Sequence, residues 1–457
     1  MTNRLDRDFH LPGLLRFALP TIIMMLVVSL YTIVDGVLIA RLVGENALAA
    51  ANVAYPAISF TLAMGIMLGT GGSAVVAHKM GAGYLEEARR DFGFLALVAV
   101  CIGLAVCLAG ALFAGPLARL LGASDLLLDD TVTYLRVQLC FAPMAMLQLL
   151  FESFFVTAGR PGLGLGLATA AGVTNAVLDY LYMGPMQMGI LGAALGTVTG
   201  YSIPAVVGVL FFLLRRQGLR FGRPHGDLRM LGRACFNGAS EMVTNLSMAV
   251  TTFLFNAIMM AYLGEAGVSA ITIVLYAQFL LVALYMGFSM GVAPVFSFNR
   301  GAGRYDRMRR IFGYCLRFIL VSSVAILAVA LALSGVVVGI FSTPGSQVYA
   351  IALDGFRRFA PAFLFAGVNI FSSALFTALS DGRTSAIISF ARTFGFLLLG
   401  LLLLPPLLEV DGVWLAVPLA ELLSCLLSVW FLRRKRAAFG FGGGDLPRHG
   451  GRGGGRI

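Results

Sequence analysis

Long apolar stretches with few polar interruptions recur along almost the whole chain, separated by short segments rich in Arg, Gly and Asp. A run of about 20 apolar residues is long enough to cross a bilayer as a helix. Counting such runs predicts twelve, starting near Leu14, Asn46, Phe92, Thr131, Leu163, Gly189, Gly232, Ala266, Phe312, Ala350, Thr384 and Gly412. The pattern predicts an all-α integral membrane protein. The first span, Leu14 to Ala40, is too long for a signal-peptide core and no cleavage site follows it, so it is expected to remain in the protein.

Composition agrees, because 59% hydrophobic and 12% charged residues leave too little polar surface for a soluble globule of 457 residues. Lys and Arg concentrate in alternate loops. Arg4, Arg7 and Arg16 precede span one, Lys79, Arg89 and Arg90 follow span two, Arg215 to Arg233 follow span six, Arg300 to Arg310 follow span eight, and Arg433 to Arg436 close span twelve. Cytoplasmic loops hold such an excess, so both termini are expected in the cytoplasm. The net charge of +11 is then a matter of topology, and no nucleic-acid partner is expected.

Sliding the sequence against itself by 220 positions aligns Gly44 with Gly264, the Gly-Ala-Gly at 81–83 with that at 301–303, Arg89, Arg90, Phe92 and Gly93 with Arg309, Arg310, Phe312 and Gly313, and Thr157 with Thr377. Six spans per half is an even number, so the halves form a parallel repeat. The expected organisation is a cytoplasmic N-terminus (1–13), a first six-helix lobe (14–214), a linker (215–231), a second lobe (232–432) and a disordered basic Gly/Arg-rich tail (433–457). Such paired bundles suggest a cleft that opens to either side in turn. The six cysteines lie mostly in apolar spans without CxxC pairing and are expected as small core residues, with neither disulfide nor metal.

Two carboxylates interrupt the spans where lipid-facing chains would put none: Asp35 late in span one and Asp179 late in span five. A charge there is costly and is retained with a partner or a task. Both lie about five residues from the outer ends of their spans, hence at matching depth. Asn175 is one helical turn from Asp179, and Thr197 is about eight residues into span six, so four oxygen-bearing side chains can converge. At the repeat-equivalent positions stand Phe255, Gly395, Leu399 and Val417. The scaffold is doubled; this cluster is not. Two neighbouring carboxylates in a low dielectric cannot both ionise cheaply, which suits a proton carrier. The same oxygens could instead hold Na⁺, the only metal considered, or serve as hydrogen-bonded glue between helices.

These residues resemble the multidrug and toxic compound extrusion (MATE) family over nearly all twelve spans. Leu19-Pro20, Asp35-Gly36, the segment 42–50 and the Gly-Ala-Gly at 81–83 carry the likeness. In the family branch with its cation site in the N-terminal lobe, an Asp on helix one, an AsnxxxAsp pair on helix five and a Thr on helix six form that site. Asp35, Asn175, Asp179 and Thr197 match them. The resemblance implies a hinge at Pro20, which bends helix one when Asp35 changes protonation. A second branch uses acids on helices seven and ten of the C-terminal lobe; here Glu241 lies in span seven, but span ten has no matching acid. Glu241 is a candidate contact for a cationic substrate, or else pairs with Asn245 or Asn369. Met24, Met64, Met144 and Phe154 are candidate substrate contacts, since polarizable side chains suit varied apolar ligands. Glu152 and Glu421 are intramembrane acids without a motif match.

The function implied is secondary active efflux of lipophilic organic cations in exchange for H⁺ or Na⁺, by a monomer without cofactor, in a bacterial inner membrane. A flippase for lipid-linked saccharides shares the twin-bundle plan but wants basic residues in the cleft, and the only Arg well inside a span is Arg392, with Arg136 near the outer part of span four. A membrane-embedded enzyme has less support still: there is no HExxH and no GxSxG.

Overall fold

In a computed structural model of the chain, which describes residues 4–436 and 439, the backbone is helical almost throughout and holds no strand among the described residues. The first half comprises α1 (Leu11–Leu42), α2 (Glu45–Gly81), α3 (Leu85–Leu120), α4 (Leu128–Cys140), α5 (Ala142–Thr157), α6 (Pro161–Met183) and α7 (Gly189–Leu214). The second comprises α8 (Leu228–Gly301), α9 (Tyr305–Ala332), α10 (Ser334–Phe341), α11 (Gln347–Phe359), α12 (Ala362–Ala378) and α13 (Gly382–Phe390). A π-helical segment (Ala391–Leu397), α14 (Leu398–Leu403), α15 (Pro405–Leu408) and α16 (Val410–Arg434) complete it.

Among the described residues nine helices are long and apolar enough to cross a membrane, or eleven when α4–α5 and α11–α12, each bent by 55°, are joined. The difference from the twelve expected spans lies in α8. Its 74 residues would reach roughly 110 Å, more than three bilayer cores. The helix breaks at Gly264, whose φ of 63° and ψ of −152° are non-helical. Gly44, its repeat equivalent between α1 and α2, also has positive φ, at 126°. Glycine reaches that region without the Cβ clash other residues meet. The two bent pairs are likewise equivalent, breaking at Phe141 and Pro361.

The halves meet through α1, α2 and α8. Inside a bilayer there is no hydrophobic drive between helices, so association depends on close packing, which small residues permit. A Cβ on Gly71 would lie 2.0 Å from the Ala234 carbonyl oxygen, and one on Gly291 would lie 3.1 Å from Ala18 Cα. These contacts lie toward the end of the molecule that holds the linker, here called the linker end. An aromatic cluster fills the core of the first half there, with Phe92 against Phe154, Phe212 and Phe221 at centroid distances of 4.4, 4.7 and 4.8 Å.

Two segments cross between the halves at the linker end. Residues 4–10 lead into α1 but are held by α9: Asp6 pairs with Arg304, its carbonyl accepts from Arg307 at 3.0 Å, and Asp8 takes two bonds from Arg310 at 3.0 and 3.1 Å. Residues 215–227, the linker, lead into α8 but are held by α3: Arg89 donates to the Gly218 carbonyl at 2.9 and 2.8 Å, and Gly222 N–H to the Arg89 carbonyl at 3.0 Å. Each strap thus ties the entry of one half to the third long helix of the other.

Two expectations need correction. Only Cys315 of the six cysteines is buried and Cys101 is exposed, since small apolar thiols are as compatible with a lipid-facing surface as with a core. The start of the supposed tail is helical, because Arg433 and Arg434 end α16 and Lys435 pairs with Asp381. Of the remainder, residues 437–438 and 440–457 lie outside the described residues.

Candidate functional site

The site is built on α6, whose 3.6-residue period puts Asn175 and Asp179 on one face, both buried. The Asn175 amide donates to Asp179 Oδ2 at 2.8 Å. The other oxygen, Oδ1, is buried without a hydrogen-bond partner and lies against α7, where a Cβ on Gly196 would sit 1.9 Å from it. Glycine at 196 makes the space that the carboxylate occupies. Helix α1 packs along α6, with the Tyr31 ring over Gly172, whose Cβ would lie 2.7 Å from the ring. This packing brings Asp35 to Asp179: the two carboxyl groups are within hydrogen-bonding reach, and Asp35 Oδ1 is also buried without a partner. Two carboxyls can share a hydrogen bond only when one holds a proton. Neither forms an ion pair with a Lys, Arg or His among the described residues.

Thr197 lies beside this pair and donates to the Ala193 carbonyl at 2.9 Å. The Tyr134 hydroxyl is within hydrogen-bonding reach of Thr197 and Gln138, and Tyr201 lies near Tyr31, Tyr134 and Asp35. These tyrosines were not singled out from the sequence. One signal was available: Tyr31 stands one helical turn before Asp35 on the same face.

Glu152 joins the same neighbourhood. Its Oε1 accepts from Gln148 at 3.1 Å, and Gln148 in turn reaches the Tyr31 hydroxyl. The acids of the second half are arranged differently. Glu421 takes Arg392 Nε and Nη2 at 2.9 and 2.5 Å on Oε1 and Asn369 at 2.6 Å on Oε2, while Ser428 donates to Asn369 at 3.1 Å. That network is closed. Neither amide considered for the Glu241 carboxylate pairs with it, because Asn369 serves Glu421 and Asn245 donates to the Glu241 backbone carbonyl at 2.9 Å. Glu241 is left facing the charge of Arg392 without an ion pair among the described residues.

Among the candidate substrate contacts, Met24 and Phe154 are fully buried. Phe154 stacks on Phe92, and Met24 packs between α1 and α6 with its sulfur 3.5 Å from where a Gly164 Cβ would be. Both therefore pack protein against protein, since apolar side chains at a lobe's helix contacts are drawn into its core. Met64 and Met144 remain half-buried. Pro20 does not interrupt α1, which is continuous from Leu11 to Leu42.

The MatE family model matches residues 20–181 and, a second time, residues 242–402. Multidrug export protein MepA of Staphylococcus haemolyticus (strain JCSC1435) is 23% identical over 428 residues, covering 92% of each chain. Among solved structures, a crystal structure of MATE in complex with MaL6 superposes with a TM-score of 0.88 at 19% identity, over 93% of this chain and 96% of that one. The outward-facing conformation of a multidrug resistance MATE family transporter of the MOP superfamily gives 0.87 at 19% identity, with the same coverage. At these identities the superpositions establish a shared fold over nearly the entire chain.

Proposed function

Because the chain belongs to the multidrug and toxic compound extrusion (MATE) family of membrane transporters, we propose that it is a secondary active exporter of lipophilic organic cations driven by inward movement of protons. The observation that carries this reading is the pairing of Asp35 with Asp179, two carboxyls within hydrogen-bonding reach, each with a buried unpartnered oxygen. With one proton the pair is internally bonded. Without it, adjacent negative charges favour either a new proton or a cation nearby.

A proton is preferred over Na⁺ for a reason of donor chemistry. A hard cation wants several oxygens aimed at one point. Here Asn175 presents its NH₂ rather than its carbonyl oxygen to Asp179. Pro20, which removes one backbone bond from α1, is the hinge at which protonation of Asp35 bends the helix. A helix that stays straight at acid and alkaline pH would remove that step. The protein acts as a monomer without a cofactor, in the bacterial cytoplasmic membrane, with termini and linker on the cytoplasmic side. A flippase gains no support, because the deep Arg392 is already bound by Glu421.

The test is efflux of a fluorescent lipophilic cation from proteoliposomes under a proton or a sodium gradient imposed separately. A proton gradient should drive transport by the parent, and Asp35→Asn should abolish it. Transport driven by sodium alone would reassign the ion, and undiminished transport in Asp35→Asn would demote the pair to helix glue.

A further inference from the structure

The surface of α9 that corresponds to the linker's seat on α3 is an open groove of about 800 Å³, lined by Asp306, Arg309, Arg310, Gly313, Tyr314 and Arg317. On α3, 220 positions earlier, the last two are Phe94 and Leu97. There the linker occupies the site: Gly222 O would lie 2.4 Å from a Cβ on Gly93, and Gly218 accepts both bonds from Arg89. Among the described residues, no heavy atom from another segment lies within 4 Å of a Cβ on Gly313. The second half has thus kept the cradle and made it more basic, and among the described residues no segment crosses it at Gly313.

Arg310 is held by Asp8, and Asp306 is the carboxylate of the lining. Arg309 and Arg317 are exposed and enter no ion pair among the described residues. Further along the same face, Leu320, Val321 and Val324 are 50, 70 and 60% exposed. In a membrane-spanning helix such a stripe meets acyl chains, and an Arg at its end reaches for the phosphate layer.

We propose that this groove binds the phosphate headgroup of an anionic phospholipid. Arg309 and Arg317 grip the phosphate oxygens as planar donors, the Tyr314 hydroxyl adds a bond, and one acyl chain runs along Leu320, Val321 and Val324. The inference is independent of the ion-coupling reading and is tested without transport.

Phosphatidylglycerol and phosphatidylcholine are titrated onto the detergent-purified full chain, and bound lipid is counted by native mass spectrometry. The parent should prefer phosphatidylglycerol, and Arg309→Gln/Arg317→Gln should weaken that binding roughly thirtyfold, two surface cations being removed. Arg216→Gln/Arg220→Gln, an equal loss of charge on the exposed linker, should leave it unchanged, and Arg309→Lys/Arg317→Lys should retain most of it. Equal binding of the two lipids by the parent, or an equal loss in the linker variant, would overturn the proposal. Displacement of the lipid by free glycerol phosphate at equal concentration would assign the groove to a soluble phosphate and overturn the lipid assignment.

Discussion

Gly81 and Gly301 make the same contact from opposite sides of the molecule: a Cβ on Gly81 would lie 1.9 Å from the Phe298 carbonyl oxygen, and one on Gly301 would lie 1.9 Å from that of His78. The four residues form two pairs related by the 220-residue repeat, so the pseudo-symmetry axis passes between them. An alanine at either glycine meets backbone, which cannot swing aside. Overpacking of this kind costs about 1–3 kcal/mol, and only in the state where the halves touch. Gly81→Ala and Gly301→Ala are therefore expected to favour a linker end that is open. In a background lacking the native cysteines, a cysteine placed at the buried Ala77 should be alkylated roughly tenfold faster in either variant. Unchanged labelling would show that the contact does not hold the end shut.

Gly196→Ala tests the site without removing any of its polar groups. The added methyl would overlap Asp179 Oδ1, so the carboxyl must leave the position it shares with Asp35. Proton-driven efflux should fall to the level of Asp179→Asn, with expression and detergent stability close to the parent. Efflux that survives in Gly196→Ala while Asp179→Asn is inactive would mean the carboxyl works in more than one position.

The Arg392–Glu421 pair should behave as structure. Arg392→Met leaves a buried carboxylate with only Asn369 to bind it and should lower stability by about 3–5 kcal/mol, whereas Arg392→Met/Glu421→Leu should recover most of that loss. Thermal unfolding in detergent measures both. A single variant as stable as the parent would release the pair from a structural role.

The start of α8 has its own pH signature. Asp227 accepts from the Met230 and Arg229 N–H groups at 3.0 and 2.9 Å. The bond from Met230 comes first in holding its carboxyl below the ordinary value. A depressed folded value means the cap's contribution is present above the usual carboxylate range, about pH 4, and is lost as pH falls through the lowered value. Asp227→Ala should cost about 1 kcal/mol near neutrality, with parent and variant converging at the acid end of a melting series.

What the sequence made visible was whatever the bilayer penalises or the repeat duplicates. Asp35 and Asp179 stood out because charge at that depth is costly, and the break in α8 at Gly264 follows from its alignment with Gly44. Aromatic and sulfur-bearing residues gave no such contrast. Among 35 Phe and 19 Met, nothing in the sequence separates Phe154, packed in an aromatic core, from the half-buried Met144. The tyrosines around Asp35 and the role of Gly196 depend on which helices become neighbours, and that is decided by packing between segments far apart in the chain.

The crossed straps place part of the energy of conformational choice in water. Asp6, Asp8, Arg304 and Arg310 meet beyond the apolar spans, where ionic strength screens them and the hydrophobic slab does not. The seam between the two halves is thereby exposed to the salt content of the medium that bathes the linker, which the apolar spans are not. Each strap is stitched to the opposite half, so neither lobe can tilt at that face without both seams giving way together.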